Sequence, residues 1–106
     1  MKIAIATMNG GADDTVSPIF GRCCKYTVID CVGDAMSDPL ILDNPGFTAQ
    51  GGAGILAAQF VVEQDTDIVV AGNFGPKAAA VLAASKTKMI RLIHTVRPLS
   101  EYRIMK

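Results

Sequence analysis

Several residue types are scarce in this sequence, and each scarcity excludes a class of protein. The 106 residues include no tryptophan, one histidine and three cysteines. An odd cysteine count with two neighbours, Cys23 and Cys24, does not fit a secreted disulfide framework, so we expect reduced thiols and a cytoplasmic location. Ten basic and ten acidic side chains cancel, which leaves no strong field to recruit nucleic acid or an anionic membrane. No apolar run approaches the ~20 residues of a membrane span.

A catalytic function is also weakly supported. One histidine without suitable partners cannot complete a Ser/His/Asp arrangement, and no cysteine–histidine set has the spacing of a structural zinc site. We therefore predict a protein that is not an enzyme.

The residues that are present predict one α/β domain covering 1–106. Half of them are hydrophobic, which indicates a small core with elements covered on both faces. Apolar and β-branched runs between turn residues predict strands, and apolar residues at helical spacing predict helices. The predicted order is β-β-β-α-β-α-β-α, with strands at 2–7, 25–31, 40–43, 67–72 and 88–93, and helices at about 53–64, at 76–86 and after Pro98.

This order brings several loops to one edge of the predicted sheet. If the second strand pairs antiparallel with the first and the later connections are right-handed crossovers, the carboxyl ends of the parallel strands and the helix N-termini share that edge. The stretch "FGRCC", 20–24, begins the second strand there. Cys31 falls ~20 Å away along the same strand, and we predict that it is a core residue.

The shared edge has the composition of an anion-binding site. The loops "QGGAG" (50–54) and "GNFGPK" (72–77) each precede a predicted helix, whose first N–H groups and dipole favour an anion. Arg22 and Lys77 add positive charge. The candidate binding residues are Gly21, Arg22, Cys23, Gly51, Gly52, Asn73, Gly75, Lys77 and His94. The alternative is that the glycines are present only because the loops require their backbone conformations, and that His94 only makes a structural hydrogen bond.

The adjacent cysteines pose a separate question. Consecutive strand side chains point to opposite faces, so the two thiols cannot readily share one zinc ion, and a disulfide between them would be strained. Arg22 would favour a thiolate beside it. We predict that Cys23 is the more exposed thiol and a metal ligand, while Cys24 packs inward. The alternative is that both are small apolar side chains.

Taken together, "KIAIAT", "VSPIFGR", "NPG…GGAG" and "DIVVAGNFGPKAAAVL" resemble the dinitrogenase iron–molybdenum cofactor biosynthesis family, from Lys2 to about Thr95. The resemblance implies a three-layer α/β/α, ribonuclease-H-like fold with a mixed five-stranded sheet. It also implies a non-catalytic protein that binds, carries or protects an anionic iron- or molybdenum-containing metal–sulfur cluster. Many members have a histidine where this chain has Ile19, and Cys23 or Cys24 could replace it as a soft ligand.

Three hypotheses follow for the function. The first is a cytoplasmic carrier of a metal–sulfur cluster, with donor or acceptor proteins in cluster assembly as possible partners. The second is an anion- or nucleotide-binding regulatory module that uses the same cleft without metal. The third is a thiol-dependent redox enzyme built on Cys23 or Cys24.

Overall fold

A mixed β-sheet with two α-helices makes up the part of the chain that the computed structural model describes, residues 1–10 and 16–92. The strands are β1 (Lys2–Thr7), β2 (Lys25–Val32), β3 (Ala35–Met36), β4 (Leu40–Asp43), β5 (Ile68–Ala71) and β6 (Lys88–Arg91). The helices are α1 (Ala53–Glu63) and α2 (Pro76–Ala84), and a 3₁₀ turn covers Phe20–Arg22.

The sheet has the pairing that the sequence predicted for its first two strands. β1 pairs antiparallel with β2 in the register Thr7↔Lys25 to Lys2↔Asp30. β4 is antiparallel to β2 on its other side, while β5 is parallel to β1 and β6 is parallel to β5. The carboxyl ends of β1, β4, β5 and β6 therefore lie at one edge of the sheet, where β2 begins.

The predicted strand count of five is wrong, because the described residues contain six strands. The additional strand, β3, pairs antiparallel with the end of β2. Gly33 has a φ of 61°, a left-handed conformation that glycine adopts without steric cost, and it turns the chain back after β2. A two-residue strand is too short to show a periodic pattern, so the sequence indicated only a turn there. The helix predicted after Pro98 lies outside the described residues.

The two faces of the sheet bury different sets of residues. Both α1 and α2 pack on the face that carries Tyr26, Val28 and Val69. The opposite face carries a second buried cluster that includes Ile3, Ile5 and Val70. Two buried faces explain why β1 and β5 are apolar along their length rather than alternating. Within the described ranges, no helix is long and apolar enough to cross a membrane.

Candidate anion-binding site

An open cleft of about 310 Å³ lies where the 3₁₀ turn meets the first turns of α1 and α2. Its lining residues come from three short segments: Ile19, Gly21 and Arg22; Gly52, Ala53, Gly54 and Ile55; and Gly75, Pro76, Lys77 and Ala78. Two of these residues are basic and none is acidic. The segments that the sequence placed at one edge thus come together around one volume.

Both helices start at the cleft without a side-chain cap. The N-cap residues are Gly52 for α1 and Gly75 for α2, and neither start has a capping side-chain hydrogen bond. The first helical bonds run from Leu56 N to Gly52 O (3.0 Å) and from Ala79 N to Gly75 O (2.9 Å). The N–H groups before Leu56 and Ala79 have no acceptor within their helices, so they are available, with both helix dipoles, to an anion in the cleft.

Arg22 and Lys77 bring charge to this cleft from two directions. Both side chains belong to exposed residues, and the ion pairs found in the described part of the chain, Met1–Asp30 and Lys25–Asp43, involve neither of them. Arg22 donates from Nη1 to the carbonyl oxygen of Ala49 at 3.0 Å. That bond uses one of the five guanidinium N–H groups, and the others remain for a ligand.

The glycines in and beside the cleft differ in why glycine occupies each position. A Cβ on Gly21 would stand 2.9 Å from the Cα of Gly54, so Gly21 permits close backbone packing. Gly52 has a φ of 69°, which favours glycine. A Cβ on Gly51 or Gly75, in contrast, would meet nothing within 4 Å. Packing therefore does not require glycine at Gly51 or Gly75, and the space beside these two residues is open to a ligand.

Two further candidates lie next to the cleft rather than in its lining. Asn73 accepts a hydrogen bond through its carbonyl oxygen from Phe20 N at 3.0 Å, which joins the loop before α2 to the 3₁₀ turn. Gly51 directly precedes Gly52. His94 lies outside the described residues, and its predicted part in the site stays a prediction.

The predicted exposure of the two adjacent cysteines is wrong. Cys23 is 1% exposed and belongs to the helix-side core, whereas Cys24 is half-buried. The Cys23 Sγ donates to the carbonyl oxygen of Phe20 at 3.3 Å, and burial raises the pKa of this thiol to about 11. Alternation fails here because β2 begins only at Lys25, while Cys23 still belongs to the end of the 3₁₀ turn. Cys23 is thus a neutral, buried thiol, which removes the reason for choosing it as a ligand.

Asn44, which sequence reasoning missed, holds the 3₁₀ turn against the loop that follows β4. Its buried Nδ2 donates to the carbonyl oxygens of Gly21 (3.1 Å) and Cys23 (2.8 Å), and its Oδ1 accepts from Gly46 N at 2.8 Å. The sequence "NPG" carries the available signal, because an Asn side chain often bonds to the backbone two residues on. Its bonds to Gly21 and Cys23 could not be read from sequence, since they join segments more than 20 residues apart.

The described residues thus form a small α/β protein in which two uncapped helix starts and two cations meet at one cleft, the candidate anion-binding site. The chain belongs to the dinitrogenase iron-molybdenum cofactor family, whose sequence model matches residues 1–100. This match confirms the family that the sequence motifs indicated.

Three individual proteins are similar to this chain in sequence or structure. The apo form of the orange protein from Desulfovibrio gigas has a similar structure, with a TM-score of 0.83 and 30% identity over 94% of this chain and 81% of that chain. A Thermotoga protein provisionally assigned as NifB has a TM-score of 0.72 at 21% identity, over 94% of this chain and 81% of that one, a likeness that concerns the fold. An uncharacterised protein of Methanocaldococcus jannaschii is 28% identical over 81 residues, which are 76% of this chain and 65% of that relative. This chain therefore matches slightly less than two thirds of that relative's length.

Proposed function

We propose that this protein binds an anionic metal–sulfur cluster of the iron or molybdenum type in the cleft and carries it as cargo, without catalysing a reaction. The observation that carries the proposal is the convergence of two uncapped helix starts, Arg22 and Lys77 on one volume, whose lining in the described part of the chain includes no acidic residue. Such a lining stabilises negative charge from several directions at once.

The side chains around the cleft fit a cluster that brings its own sulfide ligands. Among residues 1–10 and 16–92, no thiol, imidazole or carboxylate lines the cleft, and no group of three histidine, cysteine or acidic side chains could hold a metal ion. The cleft instead offers N–H donors and the apolar side chains of Ile19, Ile55 and Pro76. Terminal sulfides would accept hydrogen bonds from those donors, so the cargo would be held by charge and hydrogen bonding and could be released intact.

The comparisons support this proposal at the level of the family. The family is described by the dinitrogenase iron–molybdenum cofactor, and the orange protein, a relative at 30% identity, is named for a colour and was solved in its apo form. We extend the proposal to donor and acceptor proteins that would exchange the cluster with this one, and to a cytoplasmic location, in which the three free cysteines would stay reduced. A three-layer, ribonuclease-H-like arrangement with a helix after Pro98 is part of the same proposal.

The direct test is anaerobic binding of tetrathiomolybdate, a compact thiometallate anion. The purified apo protein is titrated and passed through a desalting column, and bound molybdenum is measured together with the visible spectrum. We expect one anion per chain and an affinity that falls as salt is raised, because charge supplies most of the attraction. Loss of all colour and molybdenum on desalting at low salt would contradict the proposal.

A regulatory module that binds a phosphate-containing ligand is the second candidate. Uncapped helix starts with an adjacent lysine also suit phosphate groups, and the cleft is open. Titration with ATP and with inorganic phosphate, in the same buffer, separates the two: tighter binding of either than of tetrathiomolybdate would favour this candidate. The thiol-redox hypothesis loses its basis at Cys23, because burial raises the pKa of that thiol to about 11.

A further inference from the structure

Three sulfur-bearing side chains lie side by side at the end of the sheet opposite the cleft. Cys31 is near the end of β2 and is directly opposite Met36 of β3. On its other side Cys31 is opposite Met1, since Cys31 N donates to Met1 O at 2.7 Å and Met1 N donates to Cys31 O at 2.8 Å. Met1, Cys31 and Met36 therefore form one row across three adjacent chain segments.

Residues in such a row project from the same face of the sheet. Directly opposed residues of antiparallel strands have Cβ atoms about 4.5–5.5 Å apart. Cys31 packs at the margin of the face that carries Ile3 and Ile29, as expected because side chains two residues apart along β1 and β2 lie on the same face. A methionine side chain has three rotatable bonds, which lets both thioethers turn toward the thiol between them. The two methionines are 62% and 59% exposed, so neither side chain is committed to the core.

The surroundings of this row favour a cation. The segment 30–38 contains Asp30, Asp34 and Asp38 and no lysine or arginine. Asp30 is paired with the N-terminal ammonium of Met1 at 3.4 Å, so Asp34 and Asp38 supply the remaining negative charge near the row. The cleft lies about 20 Å away along β2, and its described lining residues include two cations and no acid. The row and the cleft thus differ in their donor atoms, which are sulfur in the row and N–H groups in the cleft.

We propose that Met1, Cys31 and Met36 form a binding site for one soft monovalent cation, Cu(I) in particular. Thiolate and thioether ligands select Cu(I) over harder metals. Binding would form a bond between the copper and the Cys31 Sγ as the thiol proton leaves to solvent, while the metal stays Cu(I) and no electron is transferred. The two thioethers complete a three-sulfur set. This site does not depend on the proposed function of the cleft.

The test is an anaerobic competition in which the chromophoric chelator bicinchoninate holds Cu(I) and the protein withdraws it. We expect one Cu(I) per chain for the parent protein. Cys31→Ser should abolish this binding, whereas Cys24→Ser, the matched change at another half-buried thiol, should leave it unchanged. Equal loss in both variants, or no loss in Cys31→Ser, would overturn the proposal.

The contribution of the methionine thioethers requires a separate measurement, because a thiol alone can bind copper. Met36→Leu keeps the size of an exposed side chain and removes only the thioether, so we expect the fold to persist. The affinity for Cu(I) should fall by about 10–100-fold, because loss of a ligand should cost at least as much as loss of a residue that only contacts a ligand. Met8→Leu, at another exposed methionine, is the control and should change nothing. With methyl-labelled methionine, Ag(I) as a redox-inert substitute should shift the NMR signals of Met1 and Met36 but not Met8 or Met89. Unshifted Met1 and Met36 signals, or an unchanged affinity in Met36→Leu, would show that no three-sulfur site exists.

Discussion

Gly21 and Gly54 bring the 3₁₀ turn and the first turn of α1 into backbone contact. A Cβ on Gly21 would lie 2.9 Å from the Cα of Gly54, closer than real Cβ atoms come to another heavy atom. Gly21 is also held by Asn44, whose Nδ2 donates to its carbonyl oxygen. The position of Arg22 at the cleft therefore depends on a close backbone contact that requires glycine at position 21.

The first prediction concerns this contact. Gly21→Ala should lower the free energy of unfolding by about 1–3 kcal/mol, because a methyl group forced into a packed backbone contact displaces its neighbours. Urea denaturation measures the change. Gly33→Ala is not a suitable control, since Gly33 has a positive φ; Gly51→Ala is suitable, because a Cβ there meets nothing within 4 Å. Equal stability of Gly21→Ala and the parent would contradict the close packing.

The second prediction separates binding from folding at Gly75. This residue has a φ of −68° and ψ of 159°, a conformation open to any residue, and a Cβ there meets nothing. Gly75→Ala should therefore lower the free energy of unfolding by only about 1 kcal/mol, the difference between glycine and alanine at an N-cap, and the fold should persist. The added methyl would enter the cleft, so we expect weaker tetrathiomolybdate binding. Unchanged affinity would mean that the ligand does not approach the start of α2.

The third prediction tests the charge of Arg22. Hydrogen bonds to charged groups contribute about 1.5–3 kcal/mol, so Arg22→Ala should weaken tetrathiomolybdate binding roughly tenfold or more. Lys88→Ala removes a cation from β6 at the opposite end of the sheet and is the matched control. Both variants should keep the circular dichroism spectrum of the parent. The same affinity in Arg22→Ala and Lys88→Ala would remove Arg22 from the site.

Long, regular elements could be predicted from this sequence, and local departures from regularity could not. The bounds of β1 and β4 agree with the prediction, because each is an apolar run between turn-forming residues. The meeting of Gly21, Gly52 and Lys77 at one cleft was also predicted, because right-handed crossovers between parallel strands place the loops that follow these strands at the same edge of the sheet. The burial of Cys23 was not, because strand alternation was counted through residues that belong to a 3₁₀ turn. Nor was the row of Met1, Cys31 and Met36, which depends on a two-residue strand without a periodic signal.

The last prediction follows from the burial of Cys23. Its folded-state pKa of about 11 lies above the ordinary value of 9.0, so the folded state resists losing the thiol proton. The contribution of the protonated Cys23 thiol to stability is complete below pH ~9 and is lost as the pH rises from about 9 to 11. Each unit of the pKa difference corresponds to about 1.4 kcal/mol, so the free energy of unfolding should fall by roughly 2–3 kcal/mol in all. Urea denaturation at a series of pH values across that range measures the loss.

Cys23→Ala is the control for this measurement. It should be less stable than the parent near neutral pH, because it leaves a small cavity and removes the bond to the Phe20 carbonyl oxygen. Its stability should fall less steeply above pH ~9, since the titrating thiol is gone. Some dependence should remain, because burial also raises the pKa of Tyr26, and that shift has the same sign. Parallel pH profiles for Cys23→Ala and the parent would show that Cys23 is not the buried, protonated thiol that its surroundings indicate.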